Sequence, residues 1–174
     1  MILDPLLPPP PGQPLPEPLL AELTALYASN HAFHTLTGDF PDRHDIGPEQ
    51  VAHALSEEWS RPGTEVLLAR SFGHLTGIAI TLAHHPDPTD PDPWIGLLLV
   101  DASLHGQGHG RRLATLVEDR FRAADRTAVR LAVLDDNPKA LAFWTALGYG
   151  VIDHREDRRM RRPCAVLRKE LTAS

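Results

Sequence analysis

The stretch Val100-Asp101-Ala102-Ser103-Leu104-His105-Gly106-Gln107-Gly108-His109-Gly110-Arg111-Arg112 has the composition of an anion site. It leaves an apolar run, crosses a turn with three alternating glycines, and enters a segment with helical periodicity. Glycines at such a turn let the backbone approach a ligand closely and turn its amides inward. The free amides at a helix start then suit a phosphate or pyrophosphate. Arg111 and Arg112 fall in the first helical turn, where the helix dipole disfavours cations. A bound anion would turn that conflict into a benefit. Three glycines before a helix also fit a plain structural turn. A P-loop is excluded because no Gly-Lys-Ser/Thr follows. The spacing is not G-x-G-x-x-G and several elements come first, which speaks against a dinucleotide fold.

A second stretch, Asn137-Pro138-Lys139-Ala140-Leu141-Ala142-Phe143-Trp144-Thr145-Ala146-Leu147-Gly148-Tyr149, reads as a short capped helix. Asn137 suits the N-cap, Pro138 the first helical position and Gly148 the stop. Ala140, Phe143, Trp144 and Leu147 share one face, which by periodicity alone makes a core helix.

Groups able to move a proton are scattered. His84, His85 and Asp87 stand at the end of an apolar segment and are candidate proton acceptors. His31, His34, Asp39, His44 and Asp45 lie close in sequence near the N-terminal helices. His31 and His34 have the spacing of a metal pair, and surface or capping histidines fit them equally well. No metal is assigned, and no general base follows from sequence.

These groups need a scaffold, and the patterning supplies one. Helical stripes begin at Leu19 and run from about Pro48 to Ser60. Strands are expected over Thr64–Arg70, Leu75–Ala83 and Trp94–Val100, with a hairpin turn at Ser71–His74. Gly96 interrupts the third of these strands, and a glycine there often marks a bulge or a close backbone approach by something else. The segment His84–Pro93 holds four prolines and three aspartates and reads as a loop. A helix over about Gly108–Ala124, a strand at Ala128–Leu134, the capped helix, and strands near Val151–Arg155 and Cys164–Leu171 complete the order. The result is α-α-β-β-β-α-β-α-β-β, an α/β chain with a mixed sheet.

The 174 residues, 42% hydrophobic, suit one domain over 17–174. A chain this long can bury roughly 70% of its unfolded surface. Residues 1–16 read as a proline-rich arm, ordered by contact or disordered, since eight of the 17 prolines lie within residues 1–18. Such an arm could pack on a neighbour, which leaves a homodimer open. The single cysteine, Cys164, favours a reducing cytoplasm. There is no signal-peptide start and no apolar run of membrane length, so the expectation is a soluble cytoplasmic protein without membrane contact. A net charge of −6 speaks against nucleic-acid binding. The cluster Arg155, Arg158, Arg159, Arg161 and Arg162 is either a solvated loop between strands or a local anion contact.

Taken together, the two motifs resemble the GNAT superfamily of acyl-CoA-dependent N-acetyltransferases. That family carries Gln/Arg-x-x-Gly-x-Gly/Ala after its fourth strand, written here as His105-Gly106-Gln107-Gly108-His109-Gly110. Its later segment, Asn-x-x-Ala-x-x-Phe/Tyr-x-x-x-Leu-Gly-Phe/Tyr, is met by Asn137, Ala140, Phe143, Leu147, Gly148 and Tyr149, with Trp144 directly after Phe143. One helix and one strand separate the motifs, as in the family. The resemblance covers residues 64–171 well, and the N-terminal helices in number and order only.

The resemblance implies a sheet of about six to seven strands flanked by helices, with splayed central strands between which pantetheine inserts. It implies acetyl-CoA as cosubstrate, with Leu98 and Val100 in backbone contact with pantetheine. The amides of Gly106, Gln107, Gly108, His109, Gly110 and Arg111 would hold the pyrophosphate, with His105 beside them. Asn137 and Trp144 would lie near the thioester end. The implied reaction is direct attack by the amine of a small molecule or peptide, with a backbone amide near the bulged strand stabilising the oxyanion. Two residues depart from the pattern. His105 replaces Gln or Arg, and Trp144 stands where many relatives have an acidic tyrosine, although an indole is no useful acid. A catalytically silent acyl-CoA-binding module is therefore the alternative.

Overall fold

A computed structural model describes residues 1–42, 44–85, 87–157 and 160–171. In chain order the elements are β1 (Ile2–Pro5), α1 (Glu17–Ser29), α2 (His31–Thr37), α3 (Pro48–Trp59), β2 (Thr64–Ser71), β3 (His74–Leu82) and β4 (Trp94–Val100). A short 3-10 turn, Ala102–Leu104, follows, then α4 (His109–Ala123), β5 (Ala128–Leu134), α5 (Pro138–Ala146), β6 (Gly150–Glu156) and β7 (Pro163–Glu170). The strands form one sheet in the order β1-β2-β3-β4-β5-β7-β6. Every neighbouring pair is antiparallel except β4 with β5. This is the mixed α/β sheet expected.

Alternation along the strands divides the core into two layers. Val66, Leu68, Ile78, Ile80 and Leu99 face Leu23, Leu26, Tyr27, Val51 and Leu55 of α1 and α3. Leu67, Ala69, Ala79, Val129, Leu131 and Val133 face Leu113, Val117 and Phe121 of α4 and Trp144 of α5.

Two elements go beyond the expected order. Within the proline-rich arm, Ile2–Pro5 pairs antiparallel with Leu67–Arg70 and makes β4 the fourth strand. An edge position tolerates Pro5, because only one side of the strand needs ladder bonds. Leu3 packs on the α4 layer, Leu15 is buried in the other, and the Trp59 indole donates to the Leu6 carbonyl at 3.3 Å. The second addition is α2, a single short helix stopped by Gly38 at φ +68°.

Two irregularities shape the middle of the sheet. Ile80 pairs with Leu97 and Thr81 with Ile95, so Gly96 is the extra residue of a bulge, one of the two readings its place in the sequence allows. Strand β4 meets β5 at the single pair Trp94–Arg130, and beyond it the two strands share no further ladder pair. The central strands are splayed.

Candidate functional site

The gap between β4 and β5 is lined by backbone. The Asp101 amide donates to the Thr76 carbonyl at 3.0 Å, which fixes which residues of β4 bond to β3. Antiparallel alternation then points the amides and carbonyls of Leu98 and Val100 away from β3, into the gap. The backbone groups of these two residues therefore face the opening.

At the mouth of the gap the chain turns through Gly106 at φ +75° and Gly108 at φ +84°. Both lie in the left-handed region that side chains disfavour, and a Cβ at either would meet nothing within 4 Å. Gly108 is the N-cap of α4, and the first intrahelical bond is Arg112 N–H to the Gly108 carbonyl at 3.0 Å. The amides of Gly108, His109, Gly110 and Arg111 therefore precede the helix ladder and have no acceptor within it. Gly110 serves a different need. A Cβ there would sit 3.3 Å from Phe143 Cε2, so its absence lets α4 dock on α5.

Two residues expected at the phosphate are turned elsewhere. The His105 ring lies 2.9 Å from the Val100 carbonyl through Nε2. Gln107 donates its side-chain amide to the Ser103 carbonyl at 2.9 Å, and its backbone amide to the Leu104 carbonyl at 3.4 Å. Both brace the turn from within.

On the α5 side, Asn137 caps the helix, with Oδ1 accepting the Ala140 amide at 3.1 Å. Trp144 is buried in the same cluster as Val100, edge-on to Phe143 and Tyr149 at 5.0 Å each. Tyr149 offers no replacement acid. Burial first, and then Glu118, push its phenol far above the ordinary value, and its hydroxyl donates to the Glu118 carboxylate at 3.1 Å.

The other candidate groups separate. His84 is exposed at the end of β3. His85 is stacked on Trp94 at 4.6 Å, and its Nδ1 lies 3.2 Å from Asp90 Oδ2. It belongs to a charge cluster that no sequence motif marks. Asp90 pairs with Arg130 of β5 and with Arg155 of β6, the latter at 2.8 Å. Asp92 pairs with Arg130 at 2.8 Å and with Arg168 of β7 at 2.7 Å. The loop before β4 is thereby strapped across three strands. The hydrogen bond from Arg155 holds the Asp90 carboxyl below its ordinary range. Burial works against ionisation of Asp92, and hydrogen bonds from Arg168 and Arg130 outweigh it.

The arginine cluster is also engaged where it is described. Arg161 pairs with Glu156 and Arg162 with Asp157, and Arg162 donates to the Leu36 and Thr37 carbonyls at the end of α2. Arg158 and Arg159 lie outside the described residues. His31 and His34, whose spacing a metal pair would have, sit in different surroundings: His31 is exposed beside His44, whereas His34 is buried against Tyr27 and Phe40. Among the described residues no three His, Cys, Asp or Glu side chains gather as a metal group, and no helix is long and apolar enough to cross a membrane.

Comparison with known proteins gives the same picture. No curated protein matches the chain. An acetyltransferase from Thermus thermophilus shares the fold at 20% identity and a TM-score of 0.69, with 98% of each chain covered. The ribosomal-protein-S18-alanine N-acetyltransferase from Escherichia coli superposes at 17% identity and a TM-score of 0.62, covering 93% of this chain and 94% of that one. An aminoglycoside 6'-N-acetyltransferase solved with coenzyme A superposes at 16% identity and a TM-score of 0.64, covering 100% of this chain and 99% of that one. The profile of the Acetyltransferase (GNAT) family matches residues 29–149, which span α2 to the Tyr149 that ends the second motif. With the splayed strands and the glycine turn in place, that match makes the chain a member of the GNAT acetyltransferase family.

Proposed function

We propose that the protein is an N-acetyltransferase that moves the acetyl group of acetyl-CoA to a primary amine of a small molecule or peptide. The observation that carries this reading is the parting of β4 and β5 above Trp94–Arg130, with four unladdered amides of α4 at the mouth. The site fits the cosubstrate in two respects. A helix start with free amides suits a pyrophosphate, and an open strand edge suits a ligand that pairs as a strand does. Acetyl-CoA supplies an activated thioester, and the chain supplies the rest.

Gly108, His109, Gly110 and Arg111 would hold the pyrophosphate through their amides. Leu98 and Val100 would position the pantetheine arm. Amides beside the Gly96 bulge would donate to charge developing on the acyl oxygen. Trp144, buried and without an acidic proton, would pack the site and leave thiolate protonation to solvent. Support for an amine acceptor comes from the neighbours named for an alanine of a ribosomal protein and for aminoglycosides.

Trp144 in the acid position also favours a second reading, a silent acyl-CoA-binding module. Thiol release from acetyl-CoA over a panel of amines separates the two. Turnover with any amine upholds the transferase, whereas CoA binding without turnover across the panel upholds the module.

A further inference from the structure

The carbonyl of Val100 ends β4 and, by register, faces the gap between the splayed strands, yet it is already occupied. Asn30 Nδ2 donates to it at 3.0 Å and His105 Nε2 lies 2.9 Å from it. A carbonyl only accepts, so the His105 ring carries its proton on Nε2 in this contact. Asn30 sits at the elbow between α1 and α2, is 5% exposed, and also donates to the Leu26 carbonyl and the Ser29 hydroxyl, each at 3.0 Å. The neighbouring Ser29 Oγ accepts the Ala102 amide at 3.1 Å. The helical elbow is therefore wired to the point where the strand becomes the glycine turn.

We infer that Asn30 and His105 clamp the Val100 carbonyl out of the cofactor's reach, so that Asn30 is a positioning residue for the groove and His105 is not a phosphate ligand. A strand-like ligand inserted here finds a donor at Leu98, an acceptor at Leu98 and a donor at Val100. It must therefore present carbonyl, amide and carbonyl in that order along β4. The clamp satisfies the fourth group from within the protein. Without it, insertion of a ligand would desolvate a carbonyl with no partner, which weakens binding by about the worth of a hydrogen bond. The inference rests on CoA occupying the gap, as proposed above.

Calorimetric titration of the full-length protein with coenzyme A, at low and high salt, tests it. Two of the acceptors of Asn30 Nδ2, the Leu26 and Val100 carbonyls, repel a carboxylate, so Asn30→Asp should weaken CoA by about tenfold or more. His105→Ala removes one of the two donors to the Val100 carbonyl while Asn30 keeps the other, so it should weaken CoA by about threefold, with the salt dependence of the wild type retained. His105 is exposed, so that variant keeps its fold and carries the test alone if Asn30→Asp does not fold. Unchanged CoA affinity in His105→Ala overturns the clamp. A flattened salt dependence in His105→Ala also overturns it, since that marks a lost phosphate contact. A wild-type protein that does not bind CoA removes the proposed function itself, and the clamp with it.

Discussion

Trp94 and Arg130 face each other across the only ladder pair that joins β4 to β5 among the described residues. The same two residues anchor the loop before β4. Arg130 holds Asp90 and Asp92 through its guanidinium and donates its amide to the Pro93 carbonyl at 2.9 Å, while Trp94 stacks on His85. The apex of the splay and the strapped loop are thus one structure, and disturbing the strap disturbs the place where the strands part.

Asp90→Asn should destabilise the protein by about 3 kcal/mol at neutral pH, because it leaves Arg130 and Arg155 short of a buried counter-charge. The Asp90 and Asp92 carboxyls are held below the ordinary value of 3.8 in the fold. Their stabilisation is therefore complete above that value and is lost as pH falls below it. Denaturant unfolding of wild type and variant should show a gap that is constant near neutrality and narrows in acid. A gap that widens in acid would contradict the pairing.

Gly108→Val should abolish the thermal shift produced by acetyl-CoA, while acetate shifts neither protein. At φ +84° a β-branched residue is strained by roughly 1–2 kcal/mol, and its side chain would fill the open space beside the turn. Differential scanning fluorimetry reads both effects. Normal CoA binding by this variant would remove the glycine turn from the site.

Trp144→Phe should lower turnover at saturating acetyl-CoA by less than about tenfold, since an indole supplies packing and no proton. A loss of about 100-fold with CoA binding intact would show that Trp144 takes part in the chemistry. Trp144→Tyr places a hydroxyl where many relatives have one, and raised turnover is the expected result.

Removing residues 1–16 should leave CoA affinity within about threefold, because β1 lies at the sheet edge with β2 and β3 between it and β4. The same deletion should lower the melting temperature by about 5 °C or more, since it strips β2 of a partner and empties the sites of Leu3 and Leu15. Thermal unfolding and CoA titration of the truncated protein measure the two effects separately.

The amino-acid sequence alone determined the features that depend on neighbours a few residues apart. Gly106 and Gly108 permit the left-handed turn, and Asn137 and Pro138 start α5. The interruption at Gly96 becomes the bulge of β4. Each is a choice of backbone conformation or a hydrogen bond within one turn, so spacing is enough to reveal it. Tertiary structure decided what depends on register between distant segments. The four residues of β1 carry too little pattern to announce a strand, and pairing with β2 makes them one. Asp90 and Asp92 look like loop polarity until the sheet order brings β5, β7 and β6 side by side and sets Arg130, Arg168 and Arg155 around them. Asn30 belongs to no motif in the sequence, and it gains its partner only when β4 ends against it and its amide meets the Val100 carbonyl. A side-chain hydrogen bond reaches about 3 Å, so residues far apart in the chain acquire partners only after the strands and helices have taken their final register.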